Sequence, residues 1–244
     1  MGKTVCIASG KGGTGKTALA AGLASAIAEL GKTVLLVDLD IGLRNLDLVL
    51  GLTDSALFDF TDVLLERTTL EEAVTPHPNC EGLFFLAAPL GIPEEPITSD
   101  ALKGFCETVK QTYDICILDC PAGIGEGFSQ AASVADCAIV VCTPDQTSLR
   151  DAQMTRHALS ERGVEDLRLV VNRVRGGVDG VSLDEAIDRT GIRLLGAVPE
   201  DKRVISCYNR GELILSKRTP AAKAFRNMAQ RLNGCEVPLL RTVR

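Results

Sequence analysis

The stretch TVCIASGKGGTGKTALAAGLASAIAEL (4–30) constrains this chain more than any other. An apolar run, Thr4 to Ser9, reads as a buried strand. Four glycines then fall within six residues, at Gly10, Gly12, Gly13 and Gly15. An Ala- and Leu-rich stretch without proline follows from Lys16 to Leu30, which predicts a helix. Leu19, Leu23, Ile27 and Leu30 repeat at three or four residues and predict one apolar stripe, with Gly31 as C-terminal cap. The punctuation fits G-x(4)-G-K-[ST] between a strand and a helix. Glycines let successive backbone N–H groups of Gly10, Gly12, Gly13, Thr14, Gly15 and Ala18 turn inward around phosphate oxygens. The helix aims its positive end at the same place. Lys16 supplies a cation for β- and γ-phosphates, and the Thr17 hydroxyl a ligand for Mg²⁺. The predicted ligand is therefore ATP or ADP with Mg²⁺.

Short apolar runs recur along the chain at 33–38, 83–88, 113–119, 137–143, 167–172 and 194–198. They are rich in Val, Ile and Leu on both faces, as strands covered on both sides should be. Helical patterns lie between and after them, at 59–66, 99–112, 125–135, 148–162, 182–190, 201–209 and 219–233. This alternation predicts an α/β fold: a doubly wound, mainly parallel sheet with helices on both faces, in one domain spanning 1–244. Such sheets place ligands beyond strand C-termini. Carboxylates stand at two of those ends: Asp38 and Asp40 after the second strand, and Asp119 after the run ICILD. Asp119 fits the strand-end carboxylate that holds Mg²⁺ through water. Glycines 123, 125 and 127 after it permit a moving loop. Asn172, at another strand end, can donate to and accept from an adenine edge.

The loop carries a second lysine, Lys11, five residues before Lys16. In this it resembles the deviant phosphate loop, KGGxGKT, of the MinD/ParA family of P-loop ATPases. The segments DLDIGLRNLD (38–47), DCPAG (119–123) and PEDKRVISCYNRGE (199–212) resemble that family's further motifs, and the MinD branch most closely. The resemblance implies a trans role for Lys11, reaching the nucleotide of a second subunit. It implies that Asp40 orients or deprotonates the attacking water, that Asp38 stands near the Mg²⁺ shell, and that Asn45 stands near the γ-phosphate. It places Pro199, Glu200 and Asp201 beside the adenine. The function implied is slow ATP hydrolysis driving a dimerisation switch that positions the division site at the membrane. Partners would be a second copy in the ATP state, a MinE-like activator and a MinC-like division inhibitor. A flagellar-number regulator, a partition ATPase and an iron–sulfur carrier are the alternatives within the family. The absence of any CxxC pair disfavours the last. Arg150 and Asp151 read equally as partner contacts or as an ordinary solvated helix start.

Composition narrows the setting. The net charge of −6 argues against wholesale nucleic-acid binding. The charge is uneven, since Lys217 to Arg244 holds seven Lys/Arg and a single acid, Glu236. That basic end on an acidic body predicts a localised anionic partner. Within it, 234–244 reads either as a short, weak anchor for anionic membrane or as a frayed terminus. In the first reading Pro238 starts a turn, with Leu239, Leu240 and Val243 on one side and Arg241 and Arg244 on the other. Phe225, Met228 and Leu232 read as core. Nine scattered cysteines, several inside apolar runs, predict buried reduced thiols. With no signal peptide and no membrane-length apolar run, the expected location is cytoplasmic, peripheral on the membrane at most.

Overall fold

The computed structural model describes residues 2–93, 95–175 and 181–240. Its strands are β1 (Lys3–Ala8), β2 (Val34–Asp38), β3 (Thr75–Pro76), β4 (Leu83–Leu86), β5 (Ile115–Asp119), β6 (Cys137–Cys142), β7 (Asp166–Val174) and β8 (Arg193–Pro199). They form one sheet in the order β3-β4-β2-β5-β1-β6-β7-β8. Only the two-residue edge strand β3 runs antiparallel to its neighbour. The helices are α1 (Lys16–Ala28), α2 (Leu46–Leu50), α3 (Phe60–Leu64), α4 (Leu70–Ala73), α5 (Ser99–Thr112), α6 (Glu126–Ser133), α7 (Gln146–Glu161), α8 (Leu183–Thr190), α9 (Lys202–Tyr208) and α10 (Pro220–Leu232). One apolar cluster joins α1 and α10 to one face of the sheet. A second joins α5, α6 and α7 to the other. The central strands β2 and β6 are buried on both faces, as their unbroken apolar runs require. The predicted doubly wound architecture is present.

The apolar stripe predicted for the first helix is not. Leu19, Leu23 and Ile27 are buried, but so are Ala20, Ala21, Gly22, Ala24, Ala26 and Ala28. Leu30 lies past the helix end and is 40% exposed. The reason is α10, which covers the side of α1 turned away from the sheet. The Phe225 ring approaches Gly22 so closely that a Cβ there would sit 2.8 Å from it. A helix sandwiched this way is apolar all round, and small residues let its neighbours close in. Phe225 and Met228 are core residues as expected, and Leu232 packs against the same cluster.

The end of the described chain departs from the turn predicted at Pro238. Residues 235–240 take no regular structure and fold back along α10. Arg231 Nε donates to Val237 O at 2.8 Å, and Asn227 Nδ2 to Pro238 O at 3.4 Å. Leu240 packs against both apolar clusters. Arg241, Val243 and Arg244 lie outside the described residues. The cysteines are free, and seven of the nine are buried; Cys80 is half-buried and Cys235 exposed. Among the described residues no helix is long and apolar enough to cross a membrane.

Candidate functional site

The loop between β1 and α1 is tied down at its base and open at its mouth. Ser9 Oγ donates to Lys11 O at 2.7 Å. Ser9 O accepts from Gly123 N at 3.0 Å, joining this loop to the DCPAG turn after β5. Gly13 and Gly15 hold φ of 79° and 92°, left-handed values that favour glycine. A Cβ on Gly12 or Gly13 would meet nothing within 4 Å, so both backbones face open space. That is the shape of an anion cradle. Gly10 serves otherwise: a Cβ there would lie 2.6 Å from Asp151 O. Its missing side chain lets the loop pack on α7. Asp151, left open between partner contact and solvated helix start, is thus half-buried against Gly10, whereas Arg150 is exposed.

Register brings the two strand-end carboxylates together. β2 and β5 pair in parallel with Asp38 opposite Asp119, and both side chains are buried. Asp38 Oδ1 accepts from Asp40 N at 2.9 Å and Oδ2 from Leu46 N at 3.2 Å. Burial nevertheless raises its pKa to about 6. Burial and the neighbouring Asp38 charge raise Asp119 to about 7, against the opposing pull of the Thr17 hydroxyl and Lys16. Burial raises Asp40 as well, and Lys16 opposes it. Lys16, itself buried, therefore stands near two carboxylates, Asp40 and Asp119. Asp119 Oδ1 and Thr14 Oγ1 are buried without a partner. Two adjacent buried carboxylates, one with an unclaimed oxygen, beside the Thr17 hydroxyl make a hard-oxygen donor set suited to a small divalent cation. Thr17, Asp119 and Asp38 are the residues that fit Mg²⁺.

Lys11 points neither into the cradle nor away from the protein. Its Nζ lies 3.4 Å from Asp145 Oδ1 and 3.1 Å from Thr147 Oγ1, at the start of α7. Burial works to raise Asp145, but hydrogen bonds from Thr143, Thr147 and the Ser148 amide, with the Lys11 charge, hold it well below the usual carboxylate range. Sequence reading missed both Asp145 and Thr147. The available signal was an Asp at a helix start, which here caps α7 through Ser148 N. It also missed Arg44 and Asp47, a nearly buried ion pair at 2.9 Å that ties the turn after Asp40 to α2. Asn45, at the N-cap of α2, is exposed and lines a hollow of about 570 Å³ with Leu48, Tyr208 and Arg210.

On the far side of the loop, Asn172 grips the loop itself. Its Nδ2 donates to Thr14 O at 2.8 Å, and its Oδ1 accepts from Arg173 N at 3.0 Å. Pro199, Glu200 and Asp201 line a separate hollow of about 550 Å³ with Val174, Arg175 and Pro220. Arg175 Nη2 donates to Glu200 Oε1 at 3.0 Å, a contact the sequence did not announce.

The CobQ/CobB/MinD/ParA nucleotide binding domain matches residues 5–214. The septum site-determining protein MinD of Bacillus subtilis (strain 168) is 41% identical over 246 residues, covering 98% of this chain and 92% of that protein. MinD of Synechocystis sp. is 35% identical over the same shares. Among solved structures, the MinC:MinD cell division protein complex of Aquifex aeolicus superposes with a TM-score of 0.92 at 35% identity, covering 98% of this chain and 99% of that one. MinD of Pyrococcus horikoshii complexed with Mg-ADP gives a TM-score of 0.86 at 30% identity, covering 96% of each chain.

Proposed function

Because the chain belongs to the CobQ/CobB/MinD/ParA family of nucleotide-binding domains, we propose that it is a MinD-type ATPase whose nucleotide joins two copies to position the division site. The observation that carries this reading is the open glycine cradle with Lys16 beside Asp40 and Asp119, and Asp38 opposite Asp119. The amides of Gly12 to Ala18 and the N-terminus of α1 hold the phosphates. Lys16 neutralises the β- and γ-oxygens. Thr17, Asp119 and Asp38 would hold Mg²⁺, which would supply further positive charge to stabilise the phosphates during transfer. Asp40, the least buried of the carboxylates, orients the attacking water and takes up its proton. Asn45 stands on the γ-phosphate side and Asn172 with Pro199–Asp201 on the adenine side. The DCPAG turn, bonded to Ser9 O, registers γ-phosphate loss.

Lys11 supplies the link to a second copy. An exposed ion pair is worth about 0.2–1 kcal/mol. Its contact with Asp145 is 3.4 Å long with both side chains over a third exposed, so it sits low in that range. A desolvated cation against a triphosphate is worth several times more. Lys11 therefore leaves Asp145 for the partner's nucleotide when ATP is present, and returns when the γ-phosphate is gone. The names of the B. subtilis and Synechocystis relatives favour septum placement over a flagellar or partition role. The Aquifex complex supports an inhibitor of the MinC kind as a partner. An activating protein, and weak docking of the chain end on anionic membrane from the cytoplasmic side, complete the proposal.

Asp40→Asn tests the chemistry. The variant binds Mg·ATP with wild-type affinity and hydrolyses it at least about a hundredfold more slowly, as expected on loss of a general base. Hydrolysis at the wild-type rate removes Asp40 from the reaction.

A further inference from the structure

Helix α9 touches three parts of the site. Its N-cap is Asp201, in the hollow assigned to the base, whose Oδ1 accepts from Arg203 N at 3.0 Å. Its last residue, Tyr208, is buried and donates its hydroxyl hydrogen to Ala18 O at 3.0 Å. The turn after it carries Gly211, with φ of 63°, packed on Gly51, with φ of 69°. A Cβ on Gly51 would lie 2.4 Å from Gly211 O, so the two backbones are in direct contact. Gly51 caps α2, whose other end is Asn45. Seven helical residues make a rod of about 10 Å. The rod is short and capped at its first turn, so a shift of Asp201 is delivered to Tyr208.

The Tyr208 contact falls at a sensitive point. Ala18 lies in the first turn of α1, the turn whose amides face the phosphates. Its carbonyl already serves the helix ladder, and a second donor from Tyr208 fixes that turn laterally. A buried phenol hydroxyl needs a partner, and burial raises the Tyr208 pKa far above its usual range, so it remains a donor. Nothing in phosphate binding requires a tyrosine on another helix to hold this carbonyl.

We propose that Tyr208 is a positioning residue that couples occupancy of the base hollow to the setting of the phosphate loop. A triphosphate carrying its base then grips the cradle better than the bare polyphosphate does, beyond the base's own contacts. The inference rests on assigning the base to the Pro199–Asp201 hollow.

Tyr208→Phe removes the hydroxyl and leaves the ring. Binding of Mg·ATP and of Mg·tripolyphosphate is measured by calorimetry for both proteins, with KM and kcat for ATP and a melting curve. Wild type prefers ATP. The variant loses about fivefold in ATP affinity, the scale of one buried neutral hydrogen bond, and keeps its tripolyphosphate affinity within about twofold. KM rises by the same factor while kcat holds. Equal losses for the two ligands, or none for either, overturn the inference, because a mere structural pin weakens both alike. A wild-type protein that binds the two ligands equally overturns the base assignment instead, and the coupling falls with it.

Discussion

The side-by-side burial of Asp38 and Asp119 predicts that stability without nucleotide falls as pH rises. In the folded chain these carboxyls hold protons to about 6 and about 7, against an ordinary value of 3.8. The folded state therefore binds more protons than the unfolded state between about pH 4 and 7, and stability declines through that window. Moving one carboxyl from 3.8 to about 6 corresponds to about 3 kcal/mol. His77 works the other way: burial lowers its pKa, so the folded state binds fewer protons than the unfolded state through the histidine range. Comparison with Asp38→Asn isolates the carboxyl. Urea unfolding followed by circular dichroism, from pH 5 to 8 without nucleotide, reads the slope. Wild type loses on the order of several kcal/mol across the range, and Asp38→Asn loses about 1–2 kcal/mol less, because at pH 5 only about half of the Asp38 contribution is still present. Saturating Mg·ADP flattens the wild-type curve, because the cation favours both ionised carboxylates and Lys16 favours that of Asp119. Stability that rises with pH in wild type, or an Asp38→Asn curve parallel to it, refutes the reasoning.

Two loop glycines separate packing from binding. Gly10→Ala drives a Cβ into the Asp151 backbone and destabilises by about 1–3 kcal/mol, read as a lowered urea midpoint. Gly12→Ala meets nothing within 4 Å, so its unfolding free energy stays within about 0.5 kcal/mol of wild type. Calorimetry then shows Gly12→Ala losing ADP affinity, because the methyl enters the cradle. Ending the chain at Asn233 removes the Leu240 packing and the Val237 and Pro238 hydrogen bonds. The truncated protein is about 1–3 kcal/mol less stable and no longer sediments with anionic liposomes in ATP.

The residues that announced the fold were those whose local chemistry decides their structure. Unbroken Val/Ile/Leu runs marked seven of the strands, and the glycine spacing before Lys16 marked the cradle and its chemistry. Asp38 and Asp119 were legible as strand ends, but their opposition depends on register between β2 and β5, which neither run contains. The short helices α2 and α4 and the two-residue β3 were missed, being too short to show a period. The stripe on α1 was misread because Leu spacing cannot reveal that α10 covers the opposite side. Lys11 was recognised by type, yet its resting partners Asp145 and Thr147 lie more than 130 positions away. Asn172 was read toward adenine; its amide also holds the Thr14 carbonyl, a tertiary contact that the sequence does not disclose.

Sedimentation velocity on wild type and Lys11→Ala, each with Mg·ATP and with Mg·ADP, tests most directly whether ATP joins two copies. Wild type doubles in mass with ATP and not with ADP. Lys11→Ala stays single in both, and its unfolding free energy changes by no more than about 0.5 kcal/mol, since only the exposed Asp145 and Thr147 contacts are lost. Wild type remaining single with ATP, or Lys11→Ala pairing as well as wild type, contradicts the account.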